Sequence, residues 1–299
     1  MFQCLMKKEK GIKVMEKVLG FIKLIRPVNC LMMSFAVLVG ASFSLTEANI
    51  SSLMLKLLLG FITAFTFTGA SMAINDYYDR EIDRINEPSH PIPSGLVTPG
   101  ESLIFATVLT VIGLGAAVLT NISCLILAVV SWTVMVFYNT KGKRTGFLGN
   151  MMVSLCVAIP FAYGSLLIED NLRPTSLVFS GLAFLANTGR EITKGIIDVP
   201  GDKVKNIRTV AVVHGERTAA YVAAAFYLVA VTLSGLPVLL GLVSFWFIPP
   251  VLAADIGFII SSLMLIHEPT RMNAKRVKNM VLAWMILGLV AFIIEGLGL

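Results

Sequence analysis

Residues 57–75 read LLLGFITAFTFTGASMAIN, and the chain continues directly into DYYDREID at residues 76–83. The first segment carries no charge and has about the length that an α-helix needs to cross a bilayer. The second places carboxylates beside hydrocarbon, where ionised groups are costly and usually mark function. If the helix continues, Asp76, Asp79 and Asp83 lie on one face, where they repel one another unless a cation lies between them. The stretch therefore predicts a site for a hard metal ion, with oxygen ligands, at a membrane border.

The composition of the whole chain is that of a polytopic membrane protein. Of its 299 residues, 56% are hydrophobic and 14% are charged, whereas about 25% of the residues in soluble domains are charged. We predict an all-α fold with nine transmembrane helices, at residues 24–45, 52–75, 101–119, 122–139, 147–168, 174–192, 218–235, 239–263 and 277–298.

Two uncharged runs, at residues 102–140 and 218–254, are too long for one span each. We expect each of them to form a hairpin, with turns near residues 120–123 and 235–237. A carboxylate cluster follows the second span and another follows the sixth. This spacing predicts two four-helix units that face each other across a central cavity, with the ninth helix packed outside them.

Basic residues concentrate on one side of the predicted topology. They lie in the first 26 residues and in four later segments, residues 80–84, 141–144, 190–217 and 271–278. By this count, only Lys56 and Arg173 fall on the other side. The positive-inside rule then places the N-terminus, these segments and the open mouth of the cavity in the cytoplasm, and the C-terminus outside.

The net charge of +6 is explained by this orientation and by contact with anionic membrane lipids, so no nucleic-acid partner is expected. The four cysteines are isolated, which suits neither a zinc site nor a disulfide framework. We expect a basic cytoplasmic tail at residues 1–20 and a single transmembrane domain at residues 21–299. The first 20 residues lack the apolar centre of a signal peptide, and translation can start at Met1 or at Met15.

A second acidic cluster, REITKGIIDVPGD, occupies residues 190–202. Residues spaced by four share one face of a helix, and here they are Arg190, Lys194 and Asp198. The Pro-Gly pair at residues 200–201 is expected to end this helix, which would put Asp202 in the turn that follows. Glu191 is expected to pair with a neighbouring Arg or Lys. Two acidic clusters on the same side, each mixed with basic residues, are a more specific signal than either cluster alone.

Carboxylates alone would suit a calcium store, but interleaved cations indicate that the metals hold a phosphate. Mg²⁺ typically binds through one or two carboxylates and the phosphates of its substrate. Two such ions on a diphosphate would stabilise it as a leaving group. The basic residues that exceed the needs of one diphosphate favour an acceptor that is itself phosphorylated, and they are Lys141, Lys143, Arg144, Lys203, Lys205 and Arg208.

The two clusters resemble the two signatures of the UbiA-type intramembrane prenyltransferases. The first signature covers residues 75–83 and continues as INEPSHPIPSG at residues 85–95, and the second covers residues 190–202. The resemblance extends over the chain from about residue 20 onward. It implies transfer of a polyprenyl group from its diphosphate to an acceptor, with Mg²⁺ as the cofactor. The residues that it implies for catalysis and for Mg²⁺–diphosphate binding are Asp76, Asp79, Asp83, Asp198 and Asp202.

The resemblance also implies residues around the diphosphate. Asn75 would support the metal ligands, and phosphate oxygens would be contacted by Arg80, Lys141 and Lys194. We add Arg84 and Arg190 to the predicted substrate-binding residues. Asn29 lies at the start of the first span and would either bind substrate or tie two helices together.

Ionisation of an allylic diphosphate leaves a carbocation, which aromatic faces can stabilise. Of the six candidates Phe65, Phe67, Phe137, Tyr138, Phe161 and Tyr163, we favour Tyr138, about one turn before Lys141. Asp255 lies near the middle of the eighth span. It would pair with a polar helix neighbour, lie in the cavity, or show that the span is misplaced.

Within the family, the second motif is most similar to that of the archaeal digeranylgeranylglyceryl phosphate synthases. The implied reaction joins geranylgeranyl diphosphate to the free hydroxyl of geranylgeranylglyceryl phosphate. Two positions depart from the pattern: His90 replaces an Arg, and Gly195 replaces a frequent acid. The alternatives are another acceptor, such as a quinone precursor or a chlorophyllide, and a cation-coupled transporter. A transporter site would lie nearer the bilayer midplane, on broken helices.

Overall fold

The computed structural model describes the backbone of residues 2–44 and 50–296, and the side chains of residues 14–44 and 53–296. In this part of the chain the regular structure is entirely helical, which confirms the all-α prediction. The α-helices are α1 (Phe2–Ile25), α2 (Pro27–Ser42), α3 (Ile50–Asn86), α4 (Pro99–Val118), α5 (Ile122–Thr140), α6 (Phe147–Glu169), α7 (Pro174–Val204), α8 (Val210–His214), α9 (Glu216–Ser234), α10 (Leu236–Leu239), α11 (Ile248–His267) and α12 (Arg271–Gly296). Short 3₁₀ turns occupy Gly142–Thr145 and Phe245–Phe247.

Among the described residues, seven helical segments are long and apolar enough to cross a membrane. The number is eight if α1 and α2, which meet at an angle of 46°, count as one broken span. Helix α7 lies where the sixth span is predicted but does not meet this test, because its second half carries the charged cluster of residues 190–202. The predicted count of nine is therefore not confirmed, although several spanning helices are typical of an integral membrane protein.

Helix α3 runs without a break from the apolar segment through the first acidic cluster. Its 37 residues span about 55 Å at 1.5 Å per residue, well beyond the roughly 30 Å of hydrocarbon in a bilayer. The C-terminal third of α3 therefore carries the cluster at one end of the bundle, which we call the motif end. Pro88 follows shortly after the helix ends at Asn86. The prediction that the helix continues through the three aspartates of this cluster is confirmed.

The prediction that helix α7 ends at Pro200-Gly201 is wrong, because the helix continues to Val204. A contact from α3 compensates for the disturbance that a proline causes. The Gly201 N–H donates to Asn86 Oδ1 at 3.2 Å, and Asn86 Nδ2 donates to the main-chain oxygen of Asp198 at 3.4 Å. Asp202 therefore lies on the helix and is buried, instead of lying in a following turn.

The central cavity is lined by helices α2, α3, α5, α6, α7 and α12. Helix α12 packs against α2, α7 and α11, so the prediction that the ninth helix lies outside the cavity is wrong. Helices α2 and α6 approach backbone to backbone. A Cβ on Gly40 would lie 2.0 Å from the Phe161 carbonyl oxygen, and one on Gly164 would lie 2.0 Å from that of Val37. Glycine at both positions makes this close packing possible.

The first predicted hairpin turn is confirmed: α4 ends at Val118, and Asn121 caps α5 by accepting a hydrogen bond from the Cys124 N–H at 2.8 Å. The second turn comes later than predicted, at residues 240–244, because α10 continues α9 after Gly235. The predicted domain boundary near residue 20 falls inside α1, where Gly20 lies against the Val97 side chain. The basic side chains before residue 14 lie outside the described residues.

Candidate active site

The central cavity has a volume of about 520 Å³ and joins a charged mouth at the motif end to an apolar interior. Along α3 its wall extends from Thr63 to Asn86, and along α6 it extends from Asn150 to Tyr163. Both acidic clusters border the mouth. The aspartates of the two clusters lie 115 or more positions apart in the chain but border the same cavity, as the prediction of two facing clusters requires.

In the first cluster, each aspartate has its own basic partner. Asp79 and Asp83 line the cavity, whereas Asp76 is 1% exposed and lies behind the wall. The Arg26 guanidinium donates to Asp76 Oδ1 at 2.7 Å, and Lys143 forms a salt bridge with Asp79. His90 Nδ1 lies 3.1 Å from Asp83 Oδ2.

The charged side chains that the second cluster contributes to the cavity wall are Arg190, Glu191, Lys194, Asp198 and Asp202. Lys194 Nζ donates to both oxygens of the buried Glu191 carboxylate, at 2.8 and 3.0 Å. Arg190 Nη1 lies 3.7 Å from the same carboxylate. The prediction that Glu191 pairs with its basic neighbours is confirmed.

The aspartates at the cavity mouth outnumber the basic side chains that pair with them directly. Five aspartates surround it or lie just behind it, and the basic partners of the first cluster are Arg26, Lys143 and His90. Among the described side chains, neither Asp198 nor Asp202 forms a salt bridge. Ligand atoms of Asp76, Asp83 and His90 lie within 4.8 Å of one another. Such an oxygen-rich donor set suits a hard divalent cation.

Two basic residues outside the apolar helical segments have raised pKa values. The hydrogen bond to Asp83 is the main cause that raises the pKa of His90 above its ordinary value, against the effect of burial. Burial also disfavours the charge of Lys143, but the neighbouring Asp79 carboxylate outweighs it and raises the pKa of Lys143. His90 is therefore charged over a wider pH range than a free histidine, which suits a position where the resemblance implies an arginine.

Some of the predicted substrate-binding residues line the cavity and others do not. Those that do, besides Arg190 and Lys194, are Asn29, Asn75 and Tyr138. Arg80 turns back over the Tyr77 ring, 4.7 Å from its centroid, and Arg84 is exposed. Neither residue lines the cavity, so their placement gives no support to the predicted contact with substrate.

Lys141 is also exposed and lies outside the cavity wall. Lys143, two residues later, lines the cavity instead. The physical reason is local: α5 ends at Thr140, and the 3₁₀ turn that follows directs the second lysine to Asp79. Of the six basic residues expected to serve a phosphorylated acceptor, Lys143 alone is found in the described cavity wall. Gly195, the second departure from the family pattern, also lies in that wall.

The polar residues of the cavity wall that sequence reasoning missed include Arg26, Asn139, Asn187 and Lys278. Asn139 is 6% exposed, and both atoms of its amide lack a hydrogen-bond partner among the described residues. The available signals were Arg26 at a helix break before Pro27 and Lys278 near the start of the ninth predicted span.

Of the six aromatic candidates, Phe67, Tyr138 and Tyr163 line the central cavity. Asp255 lies apart from it, against a second and largely apolar cavity of about 90 Å³. Its Oδ2 atom accepts a hydrogen bond from the Ser234 hydroxyl at 2.7 Å. Among the alternatives for Asp255, pairing with a polar helix neighbour is confirmed.

The sequence matches proteins of known family over nearly its whole length. The model of the UbiA prenyltransferase family matches residues 33–290. A digeranylgeranylglyceryl phosphate synthase from Methanopyrus kandleri is 32% identical over 275 residues, which cover 92% of this chain and 98% of that protein.

Two solved structures share the fold. The first is described as giving structural and mechanistic insights into the biosynthesis of digeranylgeranylglyceryl phosphate synthase in membranes. It has a TM-score of 0.71 and 30% identity, over 95% of this chain and 100% of that one. A UbiA homologue from Archaeoglobus fulgidus bound to DMAPP and Mg²⁺ has a TM-score of 0.63 and 17% identity, over 92% of this chain and 99% of that one. The chain therefore belongs to the UbiA prenyltransferase family.

Proposed function

We propose that this prenyltransferase moves a geranylgeranyl group from geranylgeranyl diphosphate to the free hydroxyl of geranylgeranylglyceryl phosphate, which forms the second ether bond of archaeal membrane lipids. The observation that carries the proposal is the cavity, in which both acidic clusters border the mouth of a deep apolar interior. The similarity to a digeranylgeranylglyceryl phosphate synthase over most of both chains supports this choice of acceptor.

Mg²⁺ is the proposed cofactor, and the excess of carboxylates at the mouth fits it. The residues that would hold it with the diphosphate are Asp76, Asp79, Asp83, Asp198 and Asp202. When bound, the metal supplies positive charge that stabilises the diphosphate as it leaves. The A. fulgidus homologue bound to DMAPP and Mg²⁺ supports this role for the cofactor.

The protein's own side chains position the reactants and exclude water. The C1–O bond of the prenyl group breaks and its electron pair leaves with the diphosphate, while the acceptor oxygen forms the ether bond and releases its proton. Lys143 forms a salt bridge with Asp79 and would supply a cation beside the leaving group. Tyr138 and Phe67 line the cavity, Tyr138 near Lys143 and Asp79, and their rings would stabilise a carbocation that is kept from water.

We also propose that the motif end faces the cytoplasm, since the basic residues concentrate there. A cysteine that replaces the exposed Lys141 should react with a membrane-impermeant maleimide in inverted vesicles and remain unlabelled in right-side-out ones. A cysteine that replaces Arg173, at the opposite end of α7, should show the reverse pattern. The same pattern at both positions would contradict the proposed orientation.

The experiment that tests the function uses purified protein in lipid nanodiscs with geranylgeranyl diphosphate and Mg²⁺. Geranylgeranylglyceryl phosphate, 4-hydroxybenzoate and chlorophyllide are offered as acceptors, and products are identified by mass spectrometry. We expect a digeranylgeranyl product and diphosphate release only with the first acceptor. Product from another acceptor alone would overturn the choice of acceptor, and no product from any acceptor would favour a non-enzymatic role such as cation transport.

The depth of the cavity suits a chain of four isoprene units. Its wall on α3 extends from Asp79 to Thr63, about 24 Å at 1.5 Å per residue. An extended geranylgeranyl chain spans roughly 20 Å at C–C bond lengths of about 1.5 Å. Ala64 is a small, partly buried residue at the deep end of this wall, so a larger side chain there would shorten the cavity.

Replacement of Ala64 by Phe is therefore expected to lower kcat/KM for geranylgeranyl diphosphate by about 10- to 100-fold, since overpacking costs about 1–3 kcal/mol. Turnover of the shorter geranyl diphosphate should change little. The matched control is Leu58→Phe, on the same helix but 54% exposed and outside the cavity wall. Equal losses with both diphosphates would contradict the assignment of Ala64 to the deep end.

A further inference from the structure

A cluster of basic residues lines the cavity beside the aspartates. It consists of Arg190 and Lys194 on α7 and Lys278 on α12, and we call it the basic cluster. Lys278 interacts electrostatically with both of the others. The three residues therefore form one region of positive charge across two neighbouring helices.

The basic cluster is incompletely neutralised. Glu191 is the one carboxylate that forms a salt bridge with it among the described residues. Lys278 has no hydrogen bond or salt bridge in the same part of the chain, and Arg190 Nε is buried without a hydrogen-bond partner. A buried donor left unpaired costs free energy. An anion that accepts from Arg190 and balances the charge of Lys278 would remove that cost.

The cavity is thus divided by charge. Asp198 and Asp202 at its mouth form no salt bridge among the described residues, whereas Arg190 and Lys194 share the single carboxylate of Glu191. Asp198 also interacts electrostatically with Lys194 and Lys278, so the two regions adjoin. One bound diphosphate with its metal ions would engage the aspartates and leave the basic cluster to a second anion. Two separate anion sites in one cavity suit a reaction in which the donor and the acceptor both carry phosphate.

We infer that the basic cluster binds the phosphate monoester of the acceptor, an inference that rests on the proposed function. A phosphate monoester carries close to two negative charges at neutral pH and three strong acceptor oxygens. The planar Arg190 guanidinium suits two of these oxygens, and the two lysines act as point charges.

The spacing on α7 also fits this assignment. Lys194 precedes Asp198 by one turn, about 6 Å along the axis. The free hydroxyl of the acceptor lies only a few bonds from its phosphate. An acceptor held at the basic cluster would therefore bring that hydroxyl beside the diphosphate at the aspartates. A neutral acceptor would leave the Arg190 Nε donor without a hydrogen bond and Lys278 without a salt bridge among the described residues.

Lys278→Met tests the inference, because it removes the charge and keeps most of the apolar stem. We expect the KM for geranylgeranylglyceryl phosphate to rise by about 10- to 100-fold, in line with the loss of one charge-assisted interaction. The KM for geranylgeranyl diphosphate should stay the same, and Lys278→Arg should restore most of the affinity for the acceptor. Arg276→Met is the matched control, since Arg276 lies on the same helix but is exposed and outside the cavity wall.

A binding measurement separates this inference from the proposed function. Geranylgeranylglyceryl phosphate and its dephosphorylated analogue are titrated without Mg²⁺ or diphosphate, and quenching of Trp132 in the cavity wall is recorded. Lys278→Met should weaken binding of the phosphorylated ligand alone. If the variant instead raises the KM for geranylgeranyl diphosphate, or weakens the binding of the phosphorylated and dephosphorylated ligands equally, the inference is overturned. A wild type that binds the phosphorylated ligand but yields no product would contradict the proposed function and leave the binding site standing.

Discussion

Asp198→Ala is expected to abolish prenyl transfer while the protein remains folded and inserted in the membrane. Asp198 lines the cavity, and among the described residues it forms no salt bridge; its carboxylate has one long contact, with Asn86 Nδ2 at 3.5 Å. Removal of this carboxylate relieves repulsion from the other aspartates but deletes a proposed ligand of Mg²⁺. We expect kcat to fall by at least about 100- to 1,000-fold, the scale seen when one preorganised electrostatic contact is lost.

Asp79 should behave differently, although it lies in the same cavity. Its loss leaves the partly buried Lys143 without its carboxylate partner, and breaking a largely buried ion pair is destabilising. Asp79→Ala should therefore lose both activity and thermal stability. The double variant Asp79→Ala/Lys143→Met should regain stability but not activity.

These variants are compared by product mass spectrometry and by thermal unfolding in detergent. The control is Asp170→Asn, at an exposed aspartate at the end of α6, far along the helix from the motif end, where asparagine tolerates the left-handed backbone (φ 55°). That variant should match the wild type in both measurements. Near-normal transfer by Asp198→Ala would contradict a mechanism that uses both acidic clusters.

Local sequence rules were sufficient for the helical class and for the course of α3. The run before Asp76 is uncharged, and no proline interrupts the segment until Pro88, so the continuation of the helix and its acidic face could be predicted. The pairing of Glu191 with its neighbours was equally local, since residues three apart meet on a helix.

Contacts between distant segments decided what the sequence rules missed. Pro200-Gly201 is a strong local signal for a helix end, but Asn86 supplies a hydrogen bond to the Gly201 N–H from another helix. Apolar patterning also could not separate α12 from the lipid-facing helices, since a cavity that holds a prenyl chain is as apolar as lipid. Lys278 was one signal in that helix, and its meaning depends on Arg190 and Lys194 on the neighbouring helix α7.

Replacement of Gly201 is expected to separate the two acidic clusters and stop transfer without unfolding the bundle. A Cβ at this position would lie 2.6 Å from Asn86 Nδ2 and 2.8 Å from Ile82 Cγ2, closer than atoms can pack. Helix α7 would then move away from α3, and the hydrogen bond from the Gly201 N–H to Asn86 would be lost. Since misplacement by about 1 Å can cost about 100-fold in rate, we expect Gly201→Val to lose at least that much activity and Gly201→Ala to lose less.

The separation can be measured independently of activity, because Lys205 and Glu81 form an exposed salt bridge between the ends of α7 and α3. Cysteines at these two positions should form a disulfide readily in the parent protein and poorly when Gly201→Val is added. Gly181→Val is the matched control, since Gly181 lies on the same helix and has open space where its Cβ would be. If crosslinking weakens and activity falls together for Gly201→Val alone, the spacing of the two helices limits catalysis. If activity is lost but crosslinking is unchanged, the defect lies at the Asn86 hydrogen bonds instead. If crosslinking weakens but activity is unchanged, the clusters tolerate a wider separation and the prediction is wrong.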